Sequence, residues 1–191
     1  MQAIGRKHST DKVAHGYLPL YERHLPEVVT SVLEIGVLRG SSLRMWAEFF
    51  PSAHIYGVDI DPRCRKHETD RIDITICSQN DAEALTRLAE RANGFDVVVD
   101  DGSHVNVLTL ASFETLWPHT RGVYVIEDLA NSYIDLTPHV DGWPGMQHNQ
   151  GVDYRNDRVL LEEAFLQQVR QIDGSRKGSA HFYPDLAVFC R

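Results

Sequence analysis

The chain has 191 residues, of which 42% are hydrophobic, and a formal net charge of −8. This length can bury one substantial core but is short for two, so we predict a single domain over residues 1–191. The acidic charge is dispersed and basic residues do not cluster, which argues against binding to nucleic acid or to an anionic membrane. No segment has the length and apolar character of a membrane span or a secretion signal, so we expect a cytoplasmic protein. Cys64, Cys77 and Cys190 lack the spacing of a disulfide framework or a zinc site and are predicted to be reduced thiols.

Residues 1–30 are predicted to form an N-terminal cap segment. Thr10, Asp11 and Lys12 precede a predicted surface helix that ends near Leu25. By themselves these residues indicate nothing beyond a capped helix.

A strand followed by a glycine turn comes next in the chain. Ser31–Ile35 is an apolar strand that runs into a turn bounded by Gly36 and Gly40, and Ser41 or Ser42 could cap the helix that follows. Glycines let the backbone approach a ligand closely, and a helix N-terminus adds hydrogen-bond donors. The GxxxG spacing differs from the GxGxxG of dinucleotide sites, which disfavours NAD.

Two acidic residues beside this turn indicate a cofactor. Glu34 lies in the strand immediately before the turn, and Asp59 ends the next predicted strand. An acid at the end of the second strand is placed to bind the two hydroxyls of a ribose, so we predict a nucleoside-containing cofactor. After a third strand at 72–77, Gln79 could line an adenine, and a helix cap in the same segment is compatible with that role.

The segment 95–104, FDVVVDDGSH, is an apolar strand that ends in two carboxylates, a glycine and a histidine. In open α/β sheets the ligand crevice lies at the carboxyl ends of the strands, which would place Asp101 and His104 in a site. The alternative is a solvated loop in which Asp101 or Ser103 caps the following helix.

A second strand repeats this pattern, because the segment 122–128, GVYVIED, ends in Glu127 and Asp128. Neighbouring strand ends lie about 5 Å apart. If these two strands are neighbours, Asp101, Glu127 and Asp128 could converge on one hard cation.

The remainder of the chain completes the predicted fold. Residues 129–157 are rich in Pro, Gly, His and aromatic residues, and we interpret them as a lid-like loop over the substrate. A last helix at 158–169 precedes an antiparallel hairpin over 181–190. The prediction is therefore an α/β, Rossmann-like fold with a mostly parallel sheet flanked by helices and a C-terminal antiparallel hairpin.

The segments VLEIGVLRGSSL, YGVDID, DVVVDDGSH, YVIEDL and HFYPDLAVFCR together resemble the class I methyltransferases that use S-adenosylmethionine. Within that class the chain is similar to the magnesium-dependent sugar O-methyltransferases of antibiotic pathways and to relatives described as cephalosporin hydroxylases. The N-terminal STDK resembles a GTDK element in which Ser9 replaces the glycine. From this resemblance we expect a catalytic domain alone, without the extra N-terminal part of the macrolide enzymes, which leaves the macrolide substrate itself in doubt.

The resemblance implies S-adenosylmethionine and Mg²⁺, or Mn²⁺, as cofactors and a sugar hydroxyl of a small glycosylated metabolite as the methyl acceptor. The implied roles are cofactor binding by Glu34, Gly36, Gly40 and Asp59, metal binding by Asp101, Glu127 and Asp128, proton abstraction by His104, and closure over the cofactor or substrate by Thr10 and Lys12. Two alternatives remain, a catechol-type O-methyltransferase and a non-catalytic S-adenosylmethionine-binding scaffold subunit. The cofactor half and the acid–histidine half are both complete, which favours an enzyme. A homo-oligomer is compatible with the sequence.

Overall fold

The computed structural model describes residues 1–142, 152–175 and 177–191. Within these ranges a seven-stranded sheet carries helices on both faces. In chain order the helices and strands are α1 (Gln2–His8), α2 (Leu18–His24), β1 (Ser31–Ile35), α3 (Ser41–Phe49), β2 (His54–Asp59), β3 (Ile72–Ile76), α4 (Ala82–Arg91), β4 (Phe95–Asp100), α5 (Asn106–Leu116), β5 (Thr120–Glu127), α6 (Arg158–Ser175), β6 (Ser179–Tyr183) and β7 (Leu186–Cys190). Short 3₁₀ helices lie at Asp11–Val13, Pro62–His67, Trp117–His119, Leu129–Tyr133 and Thr137–Gly142.

The strand order is β3-β2-β1-β4-β5-β7-β6. Strands β1 to β5 are parallel, and β7 runs antiparallel between β5 and β6. This arrangement confirms the predicted α/β fold with a C-terminal antiparallel hairpin. The strand order reverses between β1 and β4, because β2 and β3 lie on one side of β1 whereas β4 and β5 lie on the other. Open α/β sheets form a ligand crevice at such a point.

The strands at the centre of the sheet bury apolar side chains on both of its faces. Successive side chains of a strand point to opposite faces. Val32 accordingly packs with α2 and α3, whereas Leu33 packs with α4, α5 and α6. The N-terminal segment therefore covers the same face of the sheet as α3.

Three helix starts can be compared with the predicted caps. The prediction that Ser41 or Ser42 caps α3 was wrong, because Gly40 is the N-cap, with φ +64° in the left-handed region and no side-chain cap bond. Asp81 caps α4 by accepting a 3.0 Å hydrogen bond from the Ala84 backbone N–H. The Ser103 hydroxyl accepts only a longer bond, 3.3 Å, from the backbone N–H of the residue before α5.

The predicted lid-like loop lies partly outside the described residues, since 143–151 are not among them. Its described parts pack against the rest of the domain. Leu136 is fully buried, and the Asn156 side-chain amide donates to the backbone carbonyls of His104, at 2.9 Å, and Asn131, at 2.8 Å. Its role as a lid stays a prediction. No helix in the described part of the chain is long and apolar enough to cross a membrane.

Candidate active site

A cavity of about 340 Å³ opens at the carboxyl ends of β1, β2 and β4. Six of the predicted site residues line it: Gly36, Asp59, Gln79, Asp101, His104 and Asp128. The other five are not part of its lining: Thr10, Lys12, Glu34, Gly40 and Glu127. The strand order therefore brings the predicted cofactor and acid–histidine residues to one space.

The glycine turn after β1 touches the loop after β4. Gly36 has φ +94°, and a Cβ atom there would lie 2.0 Å from the carbonyl oxygen of Asp101. Any side chain would therefore separate the two loops. Gly40 lies outside the cavity lining and acts on the turn's shape, because its left-handed conformation starts α3.

Asp59 lines the cavity and also holds the glycine turn. One oxygen, Oδ2, accepts from the backbone N–H groups of Val37, at 2.9 Å, and Leu38, at 3.0 Å. The other, Oδ1, accepts from the backbone N–H of Asp61 at 2.8 Å. An ionised carboxylate has about four lone-pair sites, and these three bonds use three of them, so Asp59 can accept about one further hydrogen bond from a ligand, at Oδ1.

Gln79 fixes the loop that carries Asp101 and His104. Its side-chain oxygen accepts from the backbone N–H of Ser103, at 3.0 Å, and from the Ser103 hydroxyl, at 2.8 Å. Its amide nitrogen donates to Asp100 at 2.7 Å. The amide groups are thus used within the protein, and contact with an adenine would come from the face of the side chain.

The two adjacent acids at the end of β4 point in opposite directions, as successive residues of a strand do. Asp100 is buried beneath the loop and accepts a 2.5 Å hydrogen bond from the Ser112 hydroxyl. Burial raises the pKa of Asp100 to about 6, although hydrogen bonds from Ser112 and Gln79 oppose the shift. Asp101 is the acid that faces the cavity.

Asp101, His104 and Asp128 form a compact group of potential metal ligands. One donor atom from each lies within 4.8 Å of the others, and His104 Nε2 is 3.6 Å from Asp128 Oδ2. His104 and Asp128 both have φ +56°, in the left-handed region. A left-handed backbone at a residue other than glycine costs about 1–3 kcal/mol and is concentrated at functional sites.

Lys12 occupies the centre of a second cluster behind this group. Its ammonium Nζ lies 2.6 Å from Asp101 Oδ2, 2.8 Å from Glu127 Oε1 and 3.0 Å from Glu34 Oε1. Burial lowers the pKa of Lys12, but these three carboxylates outweigh it and hold the pKa well above the usual value. The cluster therefore contains one ammonium for three carboxylates. The prediction that Lys12 closes over the cofactor differs from the structure, in which the side chain is buried among acids.

The predicted metal trio is only partly assembled, because Glu127 bonds inside the protein. It accepts hydrogen bonds from Lys12 and from the hydroxyl of Tyr21. Burial, reinforced by the neighbouring Asp101, raises the pKa of Glu127 well above its usual range. Glu127 thus lies farther from the cavity than Asp101, and both carboxylates contact the Lys12 ammonium.

Glu34 faces α3 and does not line the cavity. Its Oε2 accepts a 2.7 Å hydrogen bond from the Trp46 indole N–H, and its contact with Lys12 is an ion pair without hydrogen-bond alignment. The reason is the alternation of β1, which turns Glu34 to the same face as Val32. Thr10 is also buried and lies beside Asp11, which does line the cavity.

Sequence reasoning missed two tyrosines that hold the acids. The Tyr17 hydroxyl lies 2.6 Å from Asp128 Oδ1 and 2.8 Å from Asp185 Oδ2, and it can donate to either carboxylate. Tyr21, four residues later, donates to Glu127. A spacing of four places both rings on one helix face, and that spacing was the signal available in the sequence.

A mostly parallel α/β sheet with a ligand-sized cavity at its switch point, and acids and a histidine on the cavity wall, is the arrangement typical of ligand-binding α/β domains. The family described as "Methyltransferase domain" matches residues 33–129, and the chain belongs to that family.

Several relatives and solved structures are similar to the chain. Mycinamicin VI 2''-O-methyltransferase of Micromonospora griseorubida is 43% identical over 143 residues, covering 69% of this chain and 33% of that protein. The 8-demethyl-8-alpha-L-rhamnosyl tetracenomycin-C 2'-O-methyltransferase of Streptomyces olivaceus is 32% identical, covering 98% of this chain and 53% of that protein. The structure of MycE methyltransferase from the mycinamycin biosynthetic pathway, in complex with Mg and SAH, has a TM-score of 0.77 at 32% identity, covering 98% of this chain and 53% of that one. The chain thus spans between 33% and 53% of the length of these relatives.

Proposed function

We propose that the chain transfers a methyl group from S-adenosylmethionine to a hydroxyl of a sugar on a glycosylated metabolite, using Mg²⁺ or Mn²⁺. One observation carries this proposal. Asp101, His104 and Asp128 lie close together on the wall of one cavity, and Gly36 and Asp59 line the same cavity. The relatives named above, which are O-methyltransferases of mycinamicin and of a rhamnosyl tetracenomycin, support the choice of acceptor.

The donor set fits a divalent cation. Asp101 and Asp128 offer the carboxylate oxygens that Mg²⁺ prefers, and Mn²⁺ accepts the same ligands. Glu127 is the proposed third acid of the site. It lies beside Asp101 and shares the Lys12 ammonium with it, so a cation bound to Asp101 would lie close to Glu127. One ammonium does not balance the acids gathered here, and a further cation would reduce their repulsion.

The cofactor part of the proposal rests on the other end of the cavity. Asp59 accepts a hydrogen bond from a ribose hydroxyl through Oδ1, Gly36 lets the backbone approach the ligand, and Gln79 lies beside the adenine. The cavity volume of about 340 Å³ lies within the range of small-molecule sites, although toward its lower end.

When bound, the divalent cation would supply positive charge that lowers the pKa of the acceptor hydroxyl, and S-adenosylmethionine would supply an activated methyl group. His104 takes the hydroxyl proton, and the Asp128 carboxylate, 3.6 Å from His104 Nε2, stabilises the imidazolium that results. Tyr17 holds Asp128 in place from the opposite side. The rest of catalysis is positional, because oxygen, methyl carbon and sulfur must lie in line.

The test combines methyl transfer with metal binding. Methylation of glycosides with adjacent hydroxyls should vanish in EDTA and return with Mg²⁺, and a catechol should be a poorer acceptor. Asp101→Asn and Asp128→Asn should each abolish the recovery of methylation by Mg²⁺ and weaken Mn²⁺ binding at least tenfold. Glu127→Gln should weaken Mn²⁺ binding less, because the Glu127 oxygens are bonded to Lys12 and Tyr21 and do not line the cavity. Asp73→Asn, at a half-exposed acid on β3, is the matched control. Full activity in excess EDTA, or unchanged Mn²⁺ affinity in both Asn variants, would contradict the proposal.

A further inference from the structure

A second group of potential metal ligands lies at the sheet edge, away from the cavity. His24 is the last residue of α2, His181 lies on β6, and Cys190 is the last residue of β7. One donor atom from each lies within 4.8 Å of the others, and the two imidazole rings are 4.2 Å apart. All three side chains are partly buried.

The register of the sheet separates this group from the candidate active site. Cys190 pairs with Val123 on β5, and Val123 lies four residues before Glu127 on the same strand. At about 3.3 Å per residue, Cys190 lies roughly 13 Å from Glu127 along the strand direction. The two groups could therefore hold separate ions.

The histidines have the hydrogen bonding expected of metal ligands. His24 Nε2 lies 2.8 Å from the Tyr183 hydroxyl, and His181 Nε2 lies 2.8 Å from the Ser179 hydroxyl. In metal sites one ring nitrogen binds the ion while a partner of this kind holds the other and orients the ring. Here each Nε2 has a hydroxyl partner, so Nδ1 would be the atom that binds the ion.

The local electrostatics favour the neutral imidazoles that metals need. Burial, then the neighbouring His181 and Arg23, lower the pKa of His24. Burial raises the pKa of the Cys190 thiol, and a bound transition metal would deprotonate it. Two imidazoles in contact, with no carboxylate in the group, are a poor site for protons and a suitable one for a softer cation.

We propose that His24, His181 and Cys190 bind a divalent ion of the zinc class, at a site independent of the proposed methyl transfer. A Cys–His–His set matches the nitrogen and sulfur ligands that Zn²⁺ takes, with a fourth position left for water. The ion would join the end of α2 to the C-terminal hairpin. Because α2 also carries Tyr21, which bonds to Glu127, the ion would stabilise the N-terminal segment against the sheet.

The absorption spectrum of bound Co²⁺ shows directly whether the Cys190 thiolate is a ligand. The wild-type protein, reduced and stripped of metal, is titrated with Co²⁺ in the presence of excess Mg²⁺, which occupies the carboxylate site. We expect a thiolate-to-cobalt charge-transfer band in the near ultraviolet and visible bands of a four-coordinate ion, both displaced by Zn²⁺. The candidate active-site group contains no thiol, so cobalt bound there would give no such band. Absence of the band in the wild type would overturn the proposal without recourse to any variant.

Variants then assign the ligands. Cys190→Ser should abolish the band and His181→Gln should weaken Zn²⁺ binding at least tenfold, while Cys77→Ser, at another partly buried thiol, should leave both unchanged. Zn²⁺ should raise the melting temperature of the wild type and of Cys77→Ser but not of Cys190→Ser. Tyr183→Phe should lower Zn²⁺ affinity about 10–100-fold if its hydroxyl orients His24. A band that survives in Cys190→Ser, or equal Zn²⁺ stabilisation of all variants, would show that the ion binds elsewhere.

Discussion

Replacing Lys12 by methionine removes the charge that the three acids around it share, two of them buried, while keeping a side chain of similar length. The Lys12 ammonium is 1% exposed and lies within 3.0 Å of Glu34, Asp101 and Glu127. Removing one partner of a buried ion pair costs about 3–5 kcal/mol, because the remaining charge is left uncompensated. In EDTA we therefore expect Lys12→Met to lose about 3–5 kcal/mol of unfolding free energy, a large part of the stability of most domains.

The distinguishing outcome is rescue by a cation. Mg²⁺ or Mn²⁺ can supply the missing positive charge between Asp101 and Glu127, so the ion should recover more stability in Lys12→Met than it adds to the wild type. Urea unfolding of both proteins, with EDTA and with Mg²⁺, measures this difference.

Lys7→Met is the matched control for the Lys12 substitution. Lys7 pairs with Glu48 at 2.6 Å but is 63% exposed, and an exposed pair contributes about 0–1 kcal/mol. We expect this variant to lose little stability and to show no added response to the cation. A loss in Lys12→Met as small as that in Lys7→Met, or one that Mg²⁺ does not reduce, would refute the view that the acids depend on this ammonium.

Three further outcomes are expected. Gly36→Ala should destabilise the domain by about 2–5 kcal/mol, because the added Cβ would overlap the Asp101 carbonyl and the backbone there is left-handed. Gly174→Ala, in an open position of α6, should instead stabilise the domain by about 0.5–1 kcal/mol. Similar values for both variants in urea unfolding would contradict the close approach of Gly36 to Asp101. Cys77 lines the cavity, and burial raises the pKa of its thiol to about 11. Its alkylation, followed by mass spectrometry, should therefore be slow at neutral pH and accelerate as the pH rises, and S-adenosylhomocysteine should retard it. No retardation would place the cofactor elsewhere. His104→Asn should reduce turnover roughly 10²–10⁴-fold and leave cofactor binding unchanged in calorimetry, because asparagine tolerates the left-handed backbone at this position. Turnover near that of the wild type would exclude His104 as the base.

The sheet and the position of its ligand crevice could be predicted because they depend on local patterns. Runs of β-branched residues such as those in β4 form strands wherever both faces are buried, and acids placed directly after such runs lie at the carboxyl edge. Asp59, Asp101 and Asp128 follow such strands and line the cavity. The same short segments carry the resemblance to methyltransferases, because each of them is continuous along the chain.

Contacts between distant segments could not be predicted, because they depend on which face each side chain takes and which element covers that face. The alternation along β1 turned Glu34 toward Trp46, and the packing of the N-terminal segment on that face brought Lys12 between Glu34 and Glu127. Spacing in the sequence argued against a zinc site, yet α2 and the C-terminal hairpin place two histidines and Cys190 side by side. A motif records neighbours along the chain, whereas a buried charge or a metal ligand is determined by neighbours in space, and only the folded domain decides those.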